Sequence, residues 1–128
     1  MEGRSASDSD ECDMSHFLTM STIIQWDMRS MQSNKEELNI LLSDFNPACV
    51  CLQETRIKTN TNIQFKNFSA YHRPGNVTDG IVYGGVAILV NNSFAHKSIT
   101  LNTHLQAVAV HVSCHKTITV SSSVSEVD

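Results

Sequence analysis

At 128 residues, 41% hydrophobic and 17% charged, the chain has the length of one domain with a buried core and is too short for two. Its formal charge of −4 argues against a nucleic-acid partner only until it is located: Glu2, Asp8, Asp10, Glu11 and Asp13 against Arg4 account for all of it, and from Ser21 onward eight acids balance eight Lys and Arg. Global charge therefore neither supports nor excludes DNA or RNA, and local placement has to decide.

The N-terminus carries acids where a secretory signal has a basic and then an apolar segment, and no apolar run reaches membrane-spanning length. These features predict a soluble, intracellular protein with no membrane partner. Residues 1–20 are rich in Ser and Asp and poor in apolar residues, a composition that does not offset the entropy of ordering, so they read as a disordered tail. Thr22 to Trp26, "TIIQW", is β-branched and aromatic and predicts a short buried strand, broken off by Asp27.

A helix follows. Ser33 and Glu36 have capping-box spacing, and Leu38, Leu41, Leu42 and Phe45 fall at i, i+3, i+4 and i+7. Asn46-Pro47 ends it, because the proline disfavours helical geometry in the residue before it. Cys49 to Gln53 then predicts a second buried strand, which breaks at Glu54. Cys49 and Cys51 lie on one face of it and read as small core residues, since the four cysteines show no C-x-x-C spacing.

Strand, helix and strand in so few residues is a βαβ unit, which makes the two strands parallel. If they are neighbours, their carboxyl ends share one sheet edge, and Asp27 and Glu54 emerge there together, on the edge where open α/β sheets place ligands. Beyond this, "NFSAYHRP" predicts a short strand, "GNVTDGIVYGG" a glycine-rich turn region and "GVAILVNN" a strongly apolar strand. Shorter candidates at "HKSITL", "LQAVAVHVSC" and "TITV" suggest an antiparallel meander with turns at Asn91-Asn92 and Cys114-His115. The core pattern fades near Val120, which divides the chain into a tail at 1–20, a domain at 21–120 and an irregular tail at 121–128.

Two carboxylates at the ends of parallel strands suit a hard cation such as Mg²⁺, which takes one or two carboxylates and fills its remaining positions with water and phosphate oxygens. Arg29, Arg56 and Lys58 lie within a few residues of these acids and could hold a phosphate beside the metal. The bland alternative makes Asp27 and Glu54 turn-initiating acids with solvated ion-pair partners. The six histidines lack the helical i, i+4 spacing of a metalloprotease site. Gly84-Gly85 could approach a phosphate or simply turn the chain. Trp26 could stack on a base or belong to the core.

"IIQWDMRSM", "NKEELNILLSDFNPACVCLQET", and "YHRP" followed by "GGVAILV" resemble the first half of the endonuclease domain of non-LTR (LINE-type) retrotransposons, in the endonuclease/exonuclease/phosphatase superfamily. The resemblance runs from about Thr22 to Val120. It implies an α/β fold, namely part of a four-layer α/β sandwich with two packed sheets, of which the mixed sheet has the βαβ start. It also implies an Mg²⁺- or Mn²⁺-dependent cleavage of DNA.

On this resemblance Glu54 in "LQET" matches the metal-binding glutamate, Gln53 supports it, and Asp27 stands where the family has an asparagine. The catalytic assignment is thus Glu54 and Asp27, with Arg29, Arg56 and Lys58 as phosphate or DNA contacts. The family's "GDFN"-like and "SDH"-like segments do not occur in the sequence. The expectation is a truncated domain, inactive alone, with an apolar sheet face left uncovered and prone to self-association or to a covering partner. A non-catalytic interaction module with a vestigial metal site, or a phosphatase or exonuclease of the same superfamily, are the alternatives.

Overall fold

In the computed structural model the described residues are 22–113 and 117–124, and the βαβ start is present. Strand β1 (Ile23–Asp27), helix α1 (Met31–Phe45) and strand β2 (Cys49–Gln53) follow one another. The two strands pair in parallel, with Ile23 opposite Cys49 and Asp27 opposite Gln53. β1 differs from the fully buried strand predicted. It lies at the edge of its sheet, so only Ile24 and Trp26 reach the helix-side core, while Ile23 on the opposite face is 49% exposed. Trp26 is therefore partly buried and packs against that core.

The helix begins earlier than its capping-box spacing predicts. Ser30, not Ser33, is the cap, and its Oγ accepts the Ser33 N–H at 3.2 Å. The reason lies in the ladder between the first two strands, which runs past their ends: Ser30 N–H donates to Glu54 O and Met31 N–H to Thr55 O, each at 2.8 Å. That ladder delivers the chain to the helix start at Ser30. Asn34 then departs from helical geometry (φ −119°, ψ 19°), and its Nδ2 donates to Met28 O at 2.6 Å and Ser30 O at 3.1 Å. Such competition between a side chain and the helix backbone explains why the regular helical pattern is legible only after it.

Leu38 and Leu42 are buried against the sheet and Leu41 flanks them, but Phe45, expected on the same face, is 63% exposed. A 15-residue helix spans about 22 Å, whereas a five-residue strand spans about 17 Å, so the last turn overhangs. Asn46, left-handed at φ 43°, closes the helix by donating its N–H to Leu42 O, and Pro47 prevents continuation.

β3 (Phe68–Arg73) and β6 (Val86–Asn91) complete the first sheet in the order β1-β2-β6-β3, with β6 antiparallel to both its neighbours. The segment predicted as a turn region instead forms a small hairpin, β4 (Asn76–Thr78) and β5 (Ile81–Tyr83), around Asp79-Gly80. β7 (Ala95–Ile99), β8 (Gln106–Ser113) and β9 (Thr117–Val124) form a separate antiparallel sheet. The turn at Asn91-Asn92 thus joins two sheets and is not a turn of the meander. The predicted turn at Cys114-His115 and the tail at 1–20 lie outside the described residues. β9 continues as strand through Val124, four positions past the end expected for the core pattern.

The layers are helix, first sheet and second sheet. β6 is buried at every position because it has a core on each face: Ala87 and Leu89 join Leu38, Leu42, Val50 and Leu52 beneath the helix, whereas Ile88 and Val90 join Cys49, Cys51, Val110, Val112 and Val120 between the sheets. The two inner sheet faces pack on each other through β2, β6, β8 and β9, whereas at the edge strand β1 Ile23 stays 49% exposed on that side. Residues alternating with Val110, Val112 and Val120 point outward, and they are small or polar: Ala107, His111, Ser113, Thr119 and Ser121.

Candidate metal and phosphate site

The carboxyl ends of β1 and β2 meet the amino end of β6 in a knot of left-handed backbone. Arg29 (φ 51°), Ser30 (109°), Glu54 (56°), Arg56 (55°), Gly84 (75°) and Gly85 (91°) all lie there. Non-glycine residues in this region cost about 1–3 kcal/mol each and concentrate at functional sites. The knot is held by an extension of the β2–β6 pairing: Thr55 N–H donates to Gly85 O at 3.1 Å and Arg56 N–H to Gly84 O at 2.8 Å.

Within it, Glu54 is 27% exposed at its side chain, and its Oε1 accepts the Gly84 N–H at 3.3 Å and faces Arg56 Nε at 3.7 Å. The ion pair is too exposed to contribute more than about 1 kcal/mol. Its effect is to orient the carboxylate by one oxygen, and Oε2 has no partner among the described residues. The Gly84-Gly85 pair, left open by the sequence between a phosphate contact and a turn, acts here as a turn that also donates to the glutamate.

Asp27 is exposed at the end of β1, on the face of Ile23 and Gln25. Its lateral neighbour is Gln53, with Glu54 one residue further along the same rim. Gln53 is fixed from the second sheet: its Nε2 donates to Ser122 Oγ at 2.8 Å, and that hydroxyl donates to Leu52 O at 3.3 Å. Arg29 is exposed in the loop after β1 and Lys58 in the loop after β2. The backbone thus brings Asp27, Gln53 and Glu54 to one end of the sheet, with the Glu54 carboxylate turned toward Gly84 on the β6 side of β2, Arg56 beside it, and Arg29 and Lys58 on the two flanking loops.

Several supporting residues escaped sequence reading. Gln106 at the start of β8 is buried, accepts the Gly85 N–H at 2.8 Å through Oε1 and donates Nε2 to Pro74 O at 3.4 Å. Ser122 lies in the segment read as an irregular tail. Thr55 is buried, and its Oγ1 has no hydrogen-bond partner in the described structure, as is also true of His72 Nδ1. Burial lowers the His72 pKa and pushes the buried thiols up, Cys49 to about 12, where the neighbouring Cys51 adds to the effect, and Cys51 to about 11.

The candidate metal donors at this sheet end are the carboxylates of Asp27 and Glu54. Among the described residues no group of three or more His, Cys, Asp or Glu is placed to hold a metal, so an all-protein cage is absent there. One or two carboxylates with open positions for water and phosphate suit Mg²⁺ or Mn²⁺. Among the described residues no helix is long and apolar enough to cross a membrane.

No protein-family model matches the sequence, and a search of curated proteins finds no match. Among solved structures, the fold is similar to the endonuclease domain of TRAS1, a telomere-specific non-LTR retrotransposon, with a TM-score of 0.62 and 21% identity over 81% of this chain and 45% of that one. A fainter likeness, at a TM-score of 0.47 and 17% identity over 73% of this chain and 37% of that one, links it to the 3′ phosphatase NExo from Neisseria bound to a product DNA hairpin. The first of these decides the fold: the chain has the mixed α/β architecture of the TRAS1 endonuclease domain and spans 45% of its length.

Proposed function

We propose that the chain is the N-terminal portion of a divalent-metal-dependent DNA endonuclease domain of retrotransposon type, and that it does not cleave DNA by itself. Glu54 and Asp27 hold Mg²⁺ or Mn²⁺ in this reading, Arg29, Arg56 and Lys58 receive phosphate oxygens, and Gln53 is a positioning residue. The observation that carries it is Glu54 at the strand-end rim beside β1, pinned through one carboxylate oxygen by Gly84 N–H and Arg56 while the other stays unengaged among the described residues. The likeness in fold to an endonuclease domain supports the reaction class.

A bound divalent ion would neutralise charge developing on a phosphodiester oxygen. The chain's own residues set the stage for that chemistry. The left-handed backbone at Glu54 fixes where the carboxylate stands, and the Gln53–Ser122 bond ties the rim to the second sheet. Hydrolysis also needs an oriented water and a stabilised leaving oxygen, and the described residues offer two carboxylates at the rim and no third metal-binding group.

Incubation of supercoiled plasmid with the chain and Mg²⁺, in parallel with Glu54→Ala, tests this. Equal background nicking by both is expected. Nicking that depends on Glu54 would refute the inactivity of the chain alone.

A further inference from the structure

We propose that the groove between the first turns of α1 and the loop at 56–65 is a binding site for the phosphate and base of one DNA nucleotide flanking the Glu54 rim. The proposal rests on the nucleic-acid reading of that rim and extends it to a second site. The groove has a volume of about 390 Å³, within the range of roughly 300–1,000 Å³ typical of small-ligand pockets. Met31, Ile57 and Phe65, all buried core residues, form its floor, and Lys35, Arg56 and Lys58 form its rim.

Charge sets this groove apart. No acid lines it, and from Thr55 to Thr78 the chain carries four Lys and Arg and no Asp or Glu, although over its length from Ser21 the two signs balance. An apolar floor beneath three cations is wrong for a free hydrated anion and right for a nucleotide, whose base removes apolar surface from water while its phosphate meets the rim. Lys35 Nζ stands 5.7 Å from the centroid of the Phe65 ring, a cation–π contact that holds the ammonium over the apolar floor at the groove's rim. Gln32 and Asn62 add neutral amide groups to the wall, which can donate to or accept from a base edge. Arg56 links the two sites, since it lines the groove and also faces Glu54 Oε1 at 3.7 Å.

Fluorescence anisotropy with a 12-nucleotide single strand tests the groove, using the whole chain and the Lys35→Ala/Lys58→Ala double variant. Both lysines are exposed, so circular dichroism should confirm an unchanged fold. The double variant should bind at least tenfold more weakly at 100 mM salt. The slope of log affinity against log salt should shrink by about 0.7, the value for one single-strand phosphate contact. Lys97→Ala, on β7 of the other sheet, should change neither quantity, and deoxyadenosine monophosphate should compete better than inorganic phosphate. Unaltered binding by the double variant, no binding of the strand by the unmodified chain, or equal competition by the two small molecules would each overturn the proposal. Mn²⁺ binding distinguishes its failure from that of the rim. Lysine-dependent DNA binding without Glu54-dependent metal binding leaves the groove standing and removes the metal site, and the reverse pattern does the opposite.

Discussion

Gly85→Ala is the perturbation that probes the backbone knot beneath Glu54 most sharply. Gly85 sits at φ +91°, and a Cβ there would stand 2.5 Å from Thr55 Oγ1 and 3.2 Å from both Arg56 N and Gly75 N. The left-handed backbone alone costs a residue with a Cβ about 1–2 kcal/mol. Thr55 cannot step aside easily, because it is buried and its own N–H is bonded to Gly85 O. Overpacking therefore adds about 1–3 kcal/mol, for a total of about 2–5 kcal/mol out of the ~5–15 kcal/mol that a domain has. Urea unfolding followed by the fluorescence of Trp26, the single tryptophan, would measure it. In a Thr55→Ala background the tightest of these contacts disappears while the two backbone contacts at 3.2 Å remain, so the cost of Gly85→Ala should fall toward, but stay above, the roughly 1–2 kcal/mol of the left-handed backbone alone. A Gly85→Ala change within experimental error of zero, or a cost identical in both backgrounds, would refute the reasoning.

Other expectations follow from the same contacts. Leu38→Ala, at a fully buried position beneath the helix, should cost about 2–5 kcal/mol in urea unfolding, whereas Phe45→Ser on the overhanging turn should stay within about 0.5 kcal/mol. Thr55→Val removes a buried hydroxyl that lacks a partner among the described residues, so thermal denaturation should show a neutral or stabilising effect of up to ~1–3 kcal/mol. His72 has a pKa lowered by burial, so the unfolded chain takes up its proton first. Stability should be full above about pH 6.5 and fall as the pH drops below it, and His72→Gln should flatten that part of the profile. Cys49 and Cys51 are buried thiols with pKa values pushed up to about 12 and about 11. Mass-mapped alkylation at pH 8 should spare both in the native protein and modify them in urea.

The elements easiest to read in the sequence were those whose signal is local. "CVCLQ" and "VAILV" are buried on both faces and read as unbroken apolar runs, as β2 and β6 are. The short crossover makes β1 and β2 parallel, so the strand ends that carry Asp27 and Glu54 lie on one sheet edge. What stayed hidden depends on distant partners. β1 carries the composition of a buried strand, and only the strand order makes it an edge. The helix start was misplaced because Ser30 is held by Glu54 O across the ladder, which no capping pattern encodes. Ser122 and Gln106 brace Gln53 and Gly85 from the second sheet, across sequence separations of 69 and 21 residues. A serine-rich run such as "SSSV" gives no sign of such a role, because its value lies in one hydroxyl reaching a neighbouring sheet. The cationic groove was visible in part, as Arg56 and Lys58, but Lys35 joins it only because α1 lies against the loop.

Paramagnetic broadening by Mn²⁺ in a two-dimensional NMR spectrum addresses the metal site most directly. Substoichiometric Mn²⁺ should broaden the amides of Met28, Glu54 and Gly84 first and leave Lys97 sharp, and both Glu54→Gln and Asp27→Asn should weaken the effect. Broadening spread without preference over exposed acids, or unchanged in Glu54→Gln, would mean that the two strand-end carboxylates do not hold a shared ion.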